Sequence, residues 1–185
     1  MYENFENLAV SIDEFNTYVN DYEDSKEAIA QKARLLSSAQ QIVEEYLGYP
    51  VMSCDRTETL TGLDQRKVYL HSLPVTLVYD VMFNKDYLSQ GFGYVNDYES
   101  VYLDRKPCPK DEITVHYAAG WNRLSLPAII KQSIMRIAAL LKTEANGNIG
   151  LTSTSYGTDG IRNYLNFTNF QKYLSPLRGY KAVWI

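Results

Sequence analysis

Two long stretches of the chain repeat apolar residues at three- and four-residue steps, while the stretch between them alternates. The first runs through Ile29, Ala33, Leu36, Ala39 (or Gln40), Val43 and Leu47, widened by Leu35, Ile42 and Tyr46. That spacing marks one wide face of a helix. Asp24 or Ser25 can cap its start, Gly48 suits a helix C′ position, and Pro50 forbids continuation. A helix is therefore predicted over residues 25–47. Upstream, Ser11-Ile12-Asp13-Glu14 has the spacing of a capping box, so a short helix ending near Val19 is expected, followed by a turn at Asn20-Asp21-Tyr22. The second long stretch opens at Leu126-Pro127, with proline near N1, where its missing N–H does no harm. Its stripe is Ile130, Ile134, Ile137, Leu140 and Leu141, ending near Ala145 with Gly147 beyond.

From Val51 to Tyr117 the period shortens. Arg56–Leu60 alternates, Thr61–Asp64 reads as a turn, and Lys67–Leu70 alternates again. Pro74 leads into Val75–Phe83, rich in β-branched and aromatic residues. Asn84–Asn96, with Gly91 and Gly93, reads as a loop or irregular hairpin; Ser100–Leu103 and Ile113–Tyr117 are two further strands. About five antiparallel strands are expected here. Ala118-Ala119-Gly120-Trp121 breaks the last of them, since Gly120 allows a backbone conformation that L-residues resist. Asn146–Gly160 is Gly/Ser/Thr/Asn-rich without an apolar pattern and reads as a loop. A last helix is expected from about Thr168 to Leu174, or on to Leu177, with Pro176 ending or kinking it. The predicted fold class is α+β: a small helical bundle of two long helices plus short N- and C-terminal helices, with an inserted antiparallel β-sheet. One domain spans residues 1–180, its β-rich section about 51–117, and residues 181–185 form a short apolar tail.

Composition narrows the partners. With 185 residues the chain buries about 70% of its unfolded surface and needs no metal or disulfide to fold. Its net charge of -4 suits it poorly to gripping nucleic acid, which requires lysines and arginines to neutralise phosphates. The two cysteines, Cys54 and Cys108, stand outside any C-x-x-C pair and read as reduced thiols of a cytosolic protein. The acidic N-terminus lacks the pattern of a secretory signal. No stretch approaches the ~20 apolar residues of a membrane span, so no membrane partner is expected. The sequon at Asn166-Phe167-Thr168 then carries no meaning.

Catalytic patterns do not assemble. A nucleophile–base pair needs histidine, and both histidines, His71 and His116, sit at or in strands as ordinary strand residues. Cys54, His71, Cys108 and His116 lack the paired spacing of zinc ligands. Gly91-Phe92-Gly93 lacks the third glycine of a dinucleotide loop. The carboxylates at Asp13-Glu14, Asp21/Glu23/Asp24 and Glu44-Glu45 read as solvated helix surface. No cofactor, metal or catalytic residue is expected. Sixteen tyrosines point to packing and interfaces.

The order of these elements resembles the head–tail connector (adaptor, or head-completion) proteins of tailed bacteriophages and related prophages. The matching residues are Ala39–Gly48 closing the first long helix, Leu73-Pro74-Val75 leading a strand, and Ile113-Thr114-Val115-His116-Tyr117-Ala118-Ala119-Gly120-Trp121 before Leu126-Pro127. Ser155-Tyr156-Gly157-Thr158-Asp159-Gly160 before a helix ending in Leu177-Arg178-Gly179-Tyr180 completes the set, over roughly residues 11–180. The section from Thr57 to Asp104 is longer than the family pattern implies. The resemblance implies a virion protein, made in the host cytoplasm, forming a ring, expected to be twelvefold, beneath the portal. That ring would extend the DNA channel, with DNA in transient, non-specific passage, and would bind the portal protein and the next neck or tail-completion protein. Tyr156, Asp159, Tyr180, Val183, Trp184 and Ile185 are the candidate interface residues, in segments expected to order on binding. The alternatives are a tail-completion or stopper protein, a cytoplasmic enzyme, and a nucleic-acid-binding module.

Overall fold

A computed structural model describes residues 7–61, 64–91, 93–144, 153–155, 161–163 and 170–181. The chain is α+β and divides into two compact units, one formed by residues 1–47 with 126–181, the other by 48–125 with 182–185.

The first unit is helical: α1 (Ile12–Val19), α2 (Lys26–Leu47), α3 (Ala128–Thr143), α4 (Phe170–Leu174) and a 3-10 helix (Ser175–Tyr180). The capping box forms as expected, with Glu14 N–H donating to Ser11 Oγ (3.1 Å) and Ser11 N–H to Glu14 Oε2 (2.9 Å). Asn20 ends α1 in the left-handed region at φ 52°. Of the two cap candidates for α2, Ser25 takes the role, its Oγ accepting from Ala28 N–H at 3.2 Å. Pro127 stands at the N-cap of α3, one residue before its expected place. The last α-helix ends at Leu174, as Pro176 just beyond it predicts, and the chain continues as a 3-10 helix.

Helices α2 and α3 pack against each other, with α1 and the 3-10 helix against both. Leu36, Ala39, Val43 and Leu47 of α2 and Ile130, Ile134, Ile137 and Ala138 of α3 are buried. Each large aliphatic side chain buried this way contributes roughly 1.5–3 kcal/mol. Gln40 clamps the N-terminal segment to α2: its Oε1 accepts from Ala9 N–H (2.8 Å) and its Nε2 donates to Asn7 C=O (3.2 Å). The buried stripe of α2 also passes through Lys32, which is only 3% exposed. Its ammonium donates to the carbonyls of Asp21 (3.0 Å) and Glu23 (2.9 Å) and lies 3.4 Å from the Asp21 carboxylate. Lys142 of α3 donates to that same carboxylate. Asp21 thus ties the α1–α2 turn to both long helices. A hairpin within the same unit pairs Ser153–Ser155 with Ile161–Asn163. This is a correction to the structureless loop expected over 146–160; Ser and Thr suffice for a short ladder without an apolar stripe.

The second unit is all β. Its seven described strands are β1 (Cys54–Leu60), β2 (Lys67–Tyr69), β3 (Val75–Phe83), β4 (Asp86–Leu88), β5 (Tyr94–Asn96), β6 (Ser100–Leu103) and β7 (Ile113–Ala119). They form two antiparallel sheets, ordered β1-β7-β3-β4 and β2-β6-β5. Val81, Ile113, Val115 and Tyr117 of one sheet share a buried core with Val68, Tyr94, Val101 and Leu103 of the other. About five strands in one sheet were expected. The two extra strands, β4 and β5, come from the Asn84–Asn96 segment. Asn84 and Lys85 both take positive φ (52° and 73°), the signature of a tight two-residue hairpin turn. Strand β3 departs from strict alternation because register shifts between Val75/Leu77 and Val78/Asp80 re-aim its side chains.

The two ends of this unit lie side by side. Trp121 N–H donates to Val51 C=O and Ser53 N–H to Trp121 C=O, each at 2.9 Å. Gly120 has φ +102°, and a Cβ there would stand 2.7 Å from Met52 O. Replacing Gly120 with alanine is expected to lower stability by about 1–3 kcal/mol, read as a fall in Tm. Gly179→Ala, where the space is open, should change little; equal effects at the two sites would contradict the close-approach argument. The Lys142 hydrogen bond, followed by that from Glu23 N–H, holds the Asp21 carboxyl down at about 2. A depressed carboxyl contributes stability above its unfolded value near 3.9 and loses it as pH falls through about 2. Asp21→Asn should therefore be less stable than the wild type at pH 6 and converge with it near pH 2 in thermal melts.

Candidate assembly surfaces

Of the six residues expected at an interface, Tyr180 alone lies among the described residues; Tyr156, Asp159, Val183, Trp184 and Ile185 lie outside them. Tyr180 closes the 3-10 helix and is half-buried. The segment before it is firmly held. Leu177 is fully buried, Leu174 nearly so. Ser133 Oγ donates to Tyr173 C=O at 2.8 Å. Lys181 Nζ lies 4.4 Å from the Tyr46 ring centre, a cation–π contact. The chain leading to residues 182–185 is thus anchored on α2 and α3.

Both histidines pair with carboxylates in the β unit. His71 Nδ1 is 2.8 Å from Glu58 Oε2, and His116 Nδ1 is 3.1 Å from Asp80. Glu58 on β1 is the hub of the first network. It accepts from His71 N–H (3.1 Å) and from the Tyr117 hydroxyl, while that hydroxyl accepts from Ser72 N–H at 3.2 Å. Burial pushes the Tyr117 phenol well above the ordinary tyrosine range, and the bond to Glu58 adds to the rise. The phenol stays protonated and donates. The network joins β1 and β7 to the segment after β2 and brings no nucleophile to a base. Among the described residues no three His, Cys, Asp or Glu side chains converge as metal ligands, and no described helix is long and apolar enough to cross a membrane.

What the surface offers is contact area. An open cleft of about 500 Å³ on the helical unit is lined by Asp13, Glu14, Thr17, Tyr18 and Met135. Lys131 bridges to Glu14 beside it at 2.9 Å. The β unit exposes Leu77, Tyr79 and Tyr87 on one sheet and Val95 and Tyr102 on the other. Sequence reading missed Leu77 and Tyr79 because bulges in β3 set which of its side chains face out, and Tyr87 and Val95 because their three-residue strands are too short to show a period. The excess of tyrosine was the available signal.

Comparison with known proteins follows the fold. The family model described as head completion protein matches residues 9–146. Among curated proteins no sequence relative matches. A chain from the virion of the native gene transfer agent (GTA) particle superposes with a TM-score of 0.64 at 14% identity, covering 100% of this chain and 95% of that one. One from the neck of the empty GTA particle, solved with C6 symmetry, gives 0.62 at 14% identity over 99% and 94%. Another, from the neck of the native GTA particle with C12 symmetry, gives 0.59 at 15% identity over 99% and 94%. At such identities the likeness is one of fold.

Removing the Tyr117 hydroxyl tests the polar network. Tyr117→Phe should cost about 1–3 kcal/mol in urea unfolding, because Ser72 N–H loses its acceptor and Glu58 Oε1 loses one of its two donors. Unchanged stability would mean that the network only decorates the core.

Proposed function

We propose that this chain, which belongs to the head completion protein family, is a structural virion protein that joins the head of a tailed-phage-like particle to its neck and tail. Copies form a ring beneath the portal, extend the DNA channel, and present a surface to the next neck component. The observation that carries this reading is the family match across residues 9–146, which takes in most of the helical unit and the β unit through Ser125. Its likeness in fold to neck chains, one solved with C12 symmetry, supports a twelvefold ring. The role needs no catalysis; Glu58, His71 and Tyr117 are spent on holding the β unit together.

Tyr156, Asp159, Tyr180, Val183, Trp184 and Ile185 are the proposed contacts to a ring neighbour or to the portal. Particles made without this protein are expected to accumulate as heads without tails, and supplying the purified chain should restore joining, with new ring density under the portal in electron micrographs. Normal tailed particles in its absence would sink the reading. Density on the far side of another neck ring would point instead to a stopper. Deleting residues 180–185 should reduce attachment to the portal; full attachment would remove the tail from the interface.

A further inference from the structure

The β unit is a sandwich whose two outer faces both carry exposed apolar side chains. On the four-stranded sheet these are Leu77 (53% exposed), Tyr79 and Tyr87 (71%). The register places Leu77 opposite Ala118 and Met82 opposite Tyr87, on the side away from the core. Two carboxylates stand among them: Asp55, accepting from Tyr79 OH at 2.7 Å, and Asp80, paired with His116. On the three-stranded sheet, Lys67, Tyr102 and Val95 (54% exposed) form one row across the strands. Lys67, ion-paired to Glu99 at 3.1 Å, stacks over Tyr69 and Tyr102, 4.4 and 5.3 Å from their ring centres. The shared core of Val81, Val115, Val68 and Val101 lies between the sheets, so the two patches look in opposite directions. One is acidic and aromatic; the other has a cation stacked on aromatic rings.

The sheet edges do not invite association. Strands β2, β4 and β5 have three residues each, and the longer β1 carries Asp55, Arg56 and Glu58. Short and charged edges suppress strand addition. Contact through the faces remains. Two different patches on opposite sides of one module give a head-to-tail contact, which closes into a ring when the rotation per copy closes.

From this arrangement we infer that the Leu77/Tyr79/Tyr87 face of one copy packs on the Lys67/Val95/Tyr102 face of the next, so that the β units form the lateral contact of the ring. The occupant of each face is a second copy of this chain. The inference rests on the ring proposed above and adds which surfaces make it.

The experiment uses the full chain with Cys54→Ser and Cys108→Ser, carrying either Tyr87→Cys or Val95→Cys. The chain crosses from one sheet to the other where Leu88 meets Gly93, so the two cysteines are kept on different copies, and a short bismaleimide can then join them only between copies. An equal mixture of the two chains should give covalent dimers, and each chain alone only background. Independently, Tyr87→Ser with Val95→Ser should raise the concentration for half-assembly by roughly tenfold or more, the effect of losing one or two buried apolar contacts. Tyr22→Ser, in the exposed segment between α1 and α2, should leave it unchanged. Rings that form without cross-linked dimers in the mixture would overturn the inference and leave the neck role standing. Dimers from either chain alone would also overturn it, because they require a self-facing patch. Failure of the wild-type chain to assemble with itself, alone or on heads, would overturn both readings.

Discussion

The close backbone approach at Met52–Ser53 and Gly120–Trp121 is the constraint on which the rest of this chain depends. Helices α2 and α3 are far apart in sequence, and their apolar faces meet only because the chain leaves after Leu47 and comes back before Leu126. Closing so long an excursion carries an entropic cost that grows slowly with its length. The β unit offsets that cost by folding on its own core and by stapling its first and last strands together. Strands β1 and β3 both pair with β7, and Met52 bridges to Trp121 where the excursion begins and ends. Only a residue without a side chain fits at Gly120, because the Met52 carbonyl occupies the place of a Cβ.

Asn16 Oδ1 of α1 is buried without a hydrogen bond, but the charged and phenolic groups that each unit buries are met by partners. In the helical unit, Lys32 occupies the middle of the apolar stripe, yet its ammonium finds two carbonyls and the Asp21 carboxylate. An unpaired charge in that position would cost far more than the stripe gains locally. In the β unit the Tyr117 ring fills the core while its hydroxyl reaches Glu58 at the margin. Tyr117 joins segments distant in sequence through Glu58, and Asp21 does so through Lys142, so these groups specify which pieces pack as well as how tightly.

The sequence pattern was a good guide where one periodicity governed a whole element. Strands Val75–Phe83 and Ser100–Leu103, the capping box at Ser11 and the stripe of α2 all appear where their patterns put them. The likeness to connector proteins, carried by residues such as Ile113–Trp121, agrees with the family match. Features set by tertiary contacts were not legible. Lys32 reads as a polar residue beside Ile29 and Ala33 until the α1–α2 turn brings Asp21 to it. The phase of β3 changes at bulges that no alternation rule registers. Strands of three residues, such as β4 and β5, are too short to show a period. Exposure within a strand was illegible for a related reason: Leu77 and Val95 look like any other strand apolar residue until the register shows which face they occupy.

Electrostatics bears on the proposed conduit role. Binding DNA tightly requires cations free to displace counterions from phosphates. Here Lys32 and Lys142 share Asp21, Lys67 pairs with Glu99, Lys106 with Asp64 at 2.7 Å, and Lys131 with Glu14. A lysine already held by a carboxylate must lose that partner before it can serve a phosphate, and the net charge of -4 repels the polymer at longer range. Such a surface is poorly suited to holding DNA, which agrees with the proposed conduit. Several of the cations act inward, fastening helices and strands, which leaves exposed apolar and aromatic side chains, with Lys67 among them, for the proposed contacts between copies.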